Sequence, residues 1–405
     1  MITWALLWYS LQHVWKRRTR SLLTVVSVFI GIAAITTLIS FGYGISSYVS
    51  DMSQKMGNDK LIIQPRGFGF GPPSTESNVK LDEDDLDAVR GVNGVKEATG
   101  IYVMSAQVEH DEQKKYVNVF GSDFDNYHEL IDEVYTLKVV EGKELRGNEV
   151  NQAVLAYNYL VDKKIFEKAL EVGDSITVNG QDIKIAGFYE AFGNPQDDSV
   201  VYMNANAMEK LFGLKNYYFM LVRAEPGENP TTLAEEIADE LRDHRHQSTA
   251  QQDFFVQTFE QVIATFSTVL NAITGVVILL GFISVVVAAV NITNTMYATI
   301  LERTKEIGVF KAIGARNGPI RVIFMLESGL LSLVGGVLGV IAGYFISQLA
   351  GSVISAAGFS IFTPVFSWWL VVGSISFAFG IGVLAGFLPA YRASRLPPVK
   401  ALRYE

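Results

Sequence analysis

The chain has 405 residues, of which 49% are hydrophobic and 19% are charged, and its formal net charge at pH 7 is −9. It contains no cysteine, which excludes disulfides and thiolate chemistry. Binding to phosphate backbones needs a basic surface, so the acidic balance argues against nucleic acid as a partner.

The N-terminal segment, 1–20, predicts an amphipathic helix that lies on the cytoplasmic membrane surface. Tryptophan and leucine recur near helical spacing, and a basic cluster follows them. The alternative, an extension of the first membrane span, stays open. The apolar run after this segment is too long for a signal-peptide core and is interpreted as a signal anchor. The amphipathic positions are Trp4, Leu7, Trp8, Leu11 and Trp15, and the cluster is Lys16, Arg17, Arg18 and Arg20.

Three long uncharged blocks predict four membrane-spanning helices. A hydrocarbon core of about 30 Å needs roughly 20 apolar residues of helix. The first block fits one span, and the last fits two, parted by Gly351, Gly358 and Pro364. The middle block has one span near 269–289 but would reach about 60 Å as one helix, so we expect it to protrude from the bilayer. The blocks are 21–50, 261–301 and 328–391.

The predicted spans carry no Asp, Glu, Lys, Arg or His in their apolar cores, which argues against a proton relay. Glycines at four-residue spacing in spans three and four allow close contacts between helices. We favour packing inside the bundle over dimerisation for these positions. They are Gly335, Gly339 and Gly343 in span three and Gly382 and Gly386 in span four.

Residues 46–260 mix strand and helix patterns and predict an α+β domain outside the membrane, with two lobes. Asn179-Gly180 between two apolar runs indicates a hairpin. A loop over Gly67–Pro73 is interpreted as flexible, with an exposed apolar tip as the alternative. The predicted strands are 60–64, 98–109, 115–120, 153–156, 175–178, 183–188 and 218–224, and the predicted helices are 81–89, one ending at Ala169, and 231–244.

Signatures of catalysis are absent: the sequence has no Gly-x4-Gly-Lys-Ser/Thr phosphate loop, no His-Glu-x-x-His and no Gly-x-Ser-x-Gly. His110, His244 and His246 are interpreted as surface residues in preference to metal ligands. The acidic run Asp82–Asp87 is explained by the dipole of the helix that it begins. We therefore expect no enzyme activity and no cofactor on this chain.

Lysine and arginine flank the spans in three segments, which predicts that both termini and the loop between spans two and three are cytoplasmic. Within that loop, residues 302–316 predict a helix with Ile307, Phe310 and Ile313 on one stripe ringed by charge. From the residues alone, docking into a partner's groove and lying on the membrane surface stay equally open.

Several motifs resemble the FtsX/MacB family of permeases, and the resemblance covers essentially the whole chain. The most specific are the loop 302–316 after Asn291-Ile-Thr-Asn-Thr-Met296 and the tail Leu388-Pro-Ala-Tyr-Arg-Ala-Ser-Arg-Leu-Pro-Pro-Val-Lys-Ala-Leu-Arg-Tyr-Glu405. The others are Arg17-Arg-Thr-Arg-Ser-Leu-Leu-Thr24, Leu81-Asp-Glu-Asp-Asp-Leu86 and Val172-Gly-Asp-Ser-Ile-Thr177.

This resemblance implies a dimer of four-span subunits, here expected to be a homodimer, in a plasma or inner membrane. Two ABC ATPase subunits that bind ATP and Mg would lie beneath it. Because only the short segment 1–20 precedes span one, we expect the ATPase to be a separate polypeptide. The loop after span two would be the coupling helix, with contacts from Glu302, Arg303, Lys305, Glu306, Gly308, Phe310, Lys311 and Gly314.

The function that the resemblance favours is efflux or extrusion of a drug, peptide or similar substrate, with an adaptor or outer-membrane channel as a further partner. The alternatives are an FtsX-like regulator of an external cell-wall hydrolase and a lipoprotein-releasing permease. The expected domains are a surface helix (1–20), span one (21–45), the external MacB-like domain (46–260), a stalk with span two (261–301), the coupling helix and loop (302–327), span three (328–350), an external loop (351–367), span four (368–390) and a cytoplasmic tail (391–405).

Overall fold

The computed structural model describes residues 18–66, 80–146, 150–359 and 362–402. The helices are α1 (Arg18–Met56), α2 (Glu83–Arg90), α3 (Phe124–Tyr135), α4 (Ala205–Phe212), α5 (Pro230–His244), α6 (Phe259–Glu302), α7 (Thr304–Ala312), α8 (Asn317–Ala356), α9 (Trp368–Ser394) and α10 (Pro398–Leu402). The strands are β1 (Lys60–Pro65), β2 (Val95–His110), β3 (Gln113–Ser122), β4 (Val139–Gly142), β5 (Gln152–Leu155), β6 (Ser175–Val178), β7 (Gln181–Tyr189), β8 (Val201–Asn204), β9 (Phe219–Ala224) and β10 (Phe254–Thr258).

The chain divides into two compact units, a membrane unit and an external domain. The membrane unit contains residues 1–46, 269–354 and 362–405, and the external domain contains residues 47–268 and 355–361. Four helices, α1, α6, α8 and α9, are long and apolar enough to cross a membrane. The predicted fold class, four spans with an α+β domain between the first two, is confirmed.

The membrane helices run past the predicted spans, because a helix that continues into water still forms its own backbone hydrogen bonds. The unbroken helix α6 has 44 residues, about 66 Å at 1.5 Å per residue, which is twice the thickness of a hydrocarbon core. The predicted protrusion of span two follows from this length. Likewise, α8 has 40 residues and begins at Asn317, well before the predicted start of span three at Ser328.

Glycine contacts hold the membrane bundle together. A Cβ placed on Gly335 or Gly339 of α8 would lie 2.8 Å from a backbone oxygen of α1, so only glycine permits this approach. Gly343 faces α1 in the same way, and Gly382 and Gly386 of α9 lie against serines of α8. The prediction that these glycines pack inside the bundle is confirmed.

The external domain is built on a ten-stranded sheet in the order β10-β1-β9-β2-β3-β8-β5-β7-β4, with β6 paired to β2 and β7. Only the β3–β8 and β5–β7 pairs among the described strands are parallel. The long strand β2 pairs with β9 through its first half and with β3 through its second, so one sheet joins what the sequence predicted as two lobes. The strands β1 and β10, which adjoin the membrane helices in sequence, pair from Leu61–Thr258 to Pro65–Phe254.

Two hydrophobic cores fill the external domain. Leu86 of α2 and Ile237 of α5 belong to the first, and Leu130 and Ile131 of α3 belong to the second. The amphipathic helices thus bury their apolar faces against the sheet, as the 3.6-residue period requires. All four of these side chains are at most 1% exposed.

The hairpin at Asn179-Gly180 is confirmed, with φ of 49° and 81° at these residues. The helix predicted to end at Ala169 is wrong: Tyr157–Leu160 is a single 3-10 turn. The side chain of Asp162 accepts a hydrogen bond from the Ala169 amide at 2.8 Å, a local bond that competes with helix formation. The sequence analysis also missed α3, α4, α10, β4, β8 and β10.

Some predictions lie outside the described residues. They are the amphipathic helix, apart from its last three residues, the loop Gly67–Pro73 and the last three residues of the tail.

Candidate functional site

The candidate site is the loop face of the membrane unit, defined as α7, α10 and the adjoining ends of α6, α8 and α9. Its starting point is the break between α6 and α7 at Arg303, where φ is −101° and ψ is 15°. The hydroxyl of Thr304 donates to the carbonyl oxygens of Ile300 and Leu301 at 3.0 and 2.8 Å. Carbonyl groups in the last turn of a helix lack amide donors from a following turn, and the Thr304 hydroxyl supplies a donor to two of them.

Arg303 lies inside the fold. Its Nε is 2.9 Å from Glu306 Oε2, and its Nη1 is 3.1 Å from Glu327 Oε2. Its guanidinium also lies over the Phe324 ring at 5.3 Å. The side chains of Arg303 and Glu327 are 8% and 7% exposed, whereas Glu306 is 49% exposed. Arg303 thus connects α7 to α8 and is not on the surface where the sequence placed it as a partner contact.

The inner side of α7 also contains Ile307 and Gly308. Ile307 is 2% exposed and belongs to the core of the helical bundle. A Cβ on Gly308 would lie 3.0 Å from the Cβ of Ala401 and 3.3 Å from Cγ of Leu402, both in α10. Gly308, predicted as a partner contact, instead lets the short helix α10 pack closely against α7.

The outer side of α7 presents apolar side chains. Val309, Phe310 and Ile313 are 51%, 39% and 77% exposed. Ile307 points the other way, so the predicted stripe of Ile307, Phe310 and Ile313 is wrong. Residues six apart on a helix do not share a face, and α7 ends at Ala312, before Gly314 with φ of +93°.

The other predicted contacts are accessible. Glu302, Lys305, Glu306, Phe310 and Gly314 are exposed. Lys311, on the same helix, is half-buried, and its Nζ donates to Asn317 Oδ1 at 2.9 Å.

The sequence analysis missed Val309 and Ile313. Both lie opposite the buried positions Arg303, Thr304, Ile307 and Gly308, which follow a four-residue period. A helical projection that started from the buried arginine would have found them.

Histidine and carboxylate clusters give no metal centre in the part of the chain that the structure describes. His244 is exposed, and the Nδ1 of His110 is 3.0 Å from the carbonyl oxygen of Ser175.

The acidic run at the start of α2 does more than complement a helix dipole. Asp82 and Asp85 form a capping box, and the Nε of Arg245 donates to Asp85 Oδ1 at 2.8 Å. Burial would raise the pKa of Asp85, but hydrogen bonds from Arg245 and from the Asp82 amide outweigh burial and hold the pKa below its usual value.

A second buried ion cluster lies in the external domain, and it also centres on an arginine. Arg223 of β9 is 6% exposed at its side chain and lies 2.8 Å from both Glu97 Oε1 and Glu133 Oε2. Lys60, the first residue of β1, is 3% exposed and reaches Asp59 at 2.9 Å and Glu133 at 2.7 Å. The cluster therefore connects β1, β2, β9 and α3.

Two protein-family models match this chain, one over its N-terminal part and one over its C-terminal part. The family described as the MacB-like periplasmic core domain matches residues 21–240. The family described as the FtsX-like permease C-terminal matches residues 278–398.

Relatives extend over nearly the whole chain. The ABC transporter permease MJ1507 of Methanocaldococcus jannaschii is 34% identical over 98% of this chain and 97% of its own length. The ABC transporter permease YknZ of Bacillus subtilis is 27% identical over 98% of both chains. The macrolide export ATP-binding/permease protein MacB 2 of Aeromonas hydrophila is 30% identical over 98% of this chain, which spans 60% of that longer protein.

Proposed function

The chain belongs to the MacB- and FtsX-type ABC transporter permeases, and we propose that it is the membrane half of an ATP-driven exporter whose ATPase is a separate subunit. It is a multi-pass membrane protein with four helices able to cross a bilayer. The observation that carries the proposal is the outward surface of α7. Val309, Phe310 and Ile313 are exposed there on a short helix held rigidly from behind.

This surface suits a protein groove better than the lipid bilayer. Its apolar side chains are bordered by the exposed charges of Lys305 and Glu306, and a small apolar centre with a charged rim is typical of a protein interface. In this proposal α7 is the coupling helix and docks into the ATPase, which binds ATP and Mg. The proposed assembly has two permease chains, as a homodimer, and two ATPase subunits.

The proposed orientation places the loop face in the cytoplasm. Basic residues flank the spans on this side, as the positive-inside rule requires of a cytoplasmic face. They include Arg303, Lys305, Lys311, Arg316, Arg321, Arg392 and Arg395.

In this proposal, a conformational change of the ATPase would be transmitted to the external domain through α6. That helix is continuous from Phe259 to Glu302, and its outer end follows β10, which pairs with β1. Movement of α6 would therefore act directly on the edge of the external sheet. No ionisable side chain is needed in the bilayer for such mechanical transmission.

The proposed cargo is a drug, peptide or similar substrate. The support is the similarity over 98% of this chain to a protein whose name states macrolide export. In cells with an outer membrane, an adaptor or channel would be a further partner.

The test replaces the three outward residues of α7 and its C-terminal turn with serine, as Val309→Ser/Phe310→Ser/Ile313→Ser. The tagged chain is purified from its own membrane, and the copurifying ATPase is measured by mass spectrometry and by ATP hydrolysis. We expect the ATPase to copurify with the wild type and to be lost from the triple variant.

The control is Tyr116→Ser, because Tyr116, at 76%, is as exposed as Ile313 and lies in the external domain. The control should retain the ATPase. Equal retention by the triple variant and the control would contradict docking through α7, and absence of any ABC ATPase from the wild type would contradict the proposed function itself.

A further inference from the structure

Two arginines from different membrane helices meet at one aromatic ring on the loop face. The guanidinium carbon of Arg321, near the start of α8, is 5.4 Å from the centre of the Tyr391 ring. The guanidinium carbon of Arg395, at the end of α9, is 4.5 Å from the same centre. Stacking on an aromatic face is favourable for each arginine, and the two distances place the like-charged guanidinium carbons within about 10 Å of each other.

Neither cation is neutralised within the described residues. Arg303, the buried arginine of the loop face, pairs with Glu306 and Glu327, whereas Arg321 and Arg395 form no ion pair with a described residue. The Nε of Arg321 is buried and has no hydrogen-bond partner in the described part of the chain. A buried N–H donor without a partner loses the hydrogen bond that water would supply. The pair therefore has the charge and the free donors that an anion would satisfy.

Next to this pair, α9 presents an exposed apolar stripe. Leu384, Phe387 and Leu388 are 74%, 46% and 50% exposed, and the rings of Phe387 and Tyr391 are stacked at 6.1 Å. Leu384, Leu388, Tyr391 and Arg395 follow helical spacing along one face. The stripe up to Tyr391 is about 10 Å long at 1.5 Å per residue, so an acyl chain could lie along it.

We propose that Arg321 and Arg395 bind the phosphate group of an anionic phospholipid, whose acyl chain lies along the stripe Leu384–Leu388. A planar guanidinium matches phosphate oxygens through parallel N–H donors. The continuity of the cationic pair with an apolar stripe favours a lipid over a soluble anion. The site requires only the multi-pass membrane topology and is independent of the proposed ATPase partner.

The binding experiment titrates the purified full-length chain in detergent with dioleoylphosphatidylglycerol, with dioleoylphosphatidylcholine and with inorganic phosphate, and counts bound ligands by native mass spectrometry. We expect the wild type to prefer phosphatidylglycerol. A hydrogen bond to a charged group contributes enough free energy that its loss lowers affinity about tenfold or more. Arg321→Ala/Arg395→Ala should therefore weaken phosphatidylglycerol binding at least about tenfold.

Two further variants keep the result interpretable. Arg316→Ala/Arg392→Ala removes the same charge from other positions of the loop face. Its affinity should stay within about twofold of the wild type, because Arg316 is exposed elsewhere and Arg392 lies over the Tyr297 ring. Arg321→Lys/Arg395→Lys retains the charge but loses the planar fork, so it should weaken binding less than the alanine pair does.

Three outcomes would overturn the proposal. Equal weakening by Arg316→Ala/Arg392→Ala would indicate diffuse attraction to the whole face. Equal binding of phosphatidylcholine would exclude recognition of net negative charge. Inorganic phosphate binding as tightly as the lipid would indicate a simple anion site, with no contribution from the apolar stripe.

Discussion

Each of the two units of this protein contains a buried arginine that pairs with carboxylates, and the two arginines have different effects. In the external domain, Arg223 and Lys60 share Glu133 and Asp59, and Arg223 also pairs with Glu97. At the loop face, Arg303 engages Glu306, one turn away, and Glu327, on the following membrane helix. Each cluster ties elements that are distant in sequence.

The surroundings of the two clusters differ. Arg223 lies in a ten-stranded sheet with a hydrophobic core on each side. The helix that Arg303 holds has nine residues, and among its large apolar side chains Ile307 is buried while Val309 and Phe310 are exposed. The Arg223 cluster, inside a large core, should mainly affect the free energy of unfolding of the external domain. The Arg303 cluster, on a short helix, should mainly determine the position of α7.

The largest expected effect is on the stability of the external domain. Arg223→Met leaves Glu97 without its arginine partner, whereas Glu133 keeps Lys60. Removing one partner of a buried ion pair costs about 3–5 kcal/mol. Chemical unfolding of the full-length chain in detergent measures the change. The control is Arg146→Met, because the Arg146–Glu144 pair is exposed at 75% and 48% and should contribute less than about 1 kcal/mol. If both variants lowered the free energy of unfolding equally, the prediction that the buried pair contributes more than the exposed pair would be wrong.

The next effect concerns coupling. Glu327→Gln should reduce the permease-dependent ATPase activity about tenfold, because it removes the buried negative charge opposite Arg303 that connects α7 to α8. The reconstituted complex provides the assay, and ATPase copurification should persist because the outer residues of α7 remain. This separates loss of positioning from loss of docking.

The charge exchange Arg303→Glu/Glu327→Arg tests whether the pair acts through its mutual contact. It should recover part of the activity that either single substitution loses, since the ion pair is rebuilt in reverse. An exchange that is no better than the single variants would contradict a positioning role. If Glu327→Gln destabilised the chain as much as Arg223→Met, the contrast between the two clusters would also fail.

The ease of prediction from sequence also differs between the two regions. The four spans, the long α6 and the Asn179-Gly180 hairpin are determined by composition and turn chemistry within short segments, and the sequence predicts all three. It does not predict the pair Arg303–Glu327, because this contact forms only when α7 and α8 pack together. The sequence analysis assigns Glu327 to a loop, since the uncharged block begins at Ser328, yet α8 begins at Asn317 and buries it.

A smaller effect concerns the pH dependence of stability that Asp132 of α3 causes. Asp132 precedes Glu133 of the Arg223 cluster, but burial, with the nearby charge of Glu144, raises the pKa of Asp132 to about 6. The unfolded value is about 3.9. Because the folded state binds this proton more tightly, the contribution of Asp132 to stability is complete below about pH 4 and is lost as the pH rises through 6.

Asp132→Asn removes the ionisable group and should stabilise the domain at pH 8. After allowance for solvent screening we expect about 1 kcal/mol, or a rise in Tm of about 2–4 °C. At pH 4 the variant and the wild type should unfold at the same temperature. A thermal scan at the two pH values measures this, with the exposed Asp111→Asn as control. A gain that is the same at both pH values would contradict ionisation as its cause.

The smallest effect concerns the contact between Gly308 of α7 and the short C-terminal helix α10. The side chain of Gly308→Val would enter the 3.0 Å gap to Ala401 and should displace α10, whereas Gly308→Ala needs only a few tenths of an ångström. Trypsin cleavage after Lys400 reports release of α10, and we expect it to accelerate severalfold in Gly308→Val. Adding Ala401→Gly removes the facing methyl and should slow cleavage again. Unchanged cleavage in Gly308→Val would mean that Arg303 alone positions α7, and the tail would then have no part in holding it.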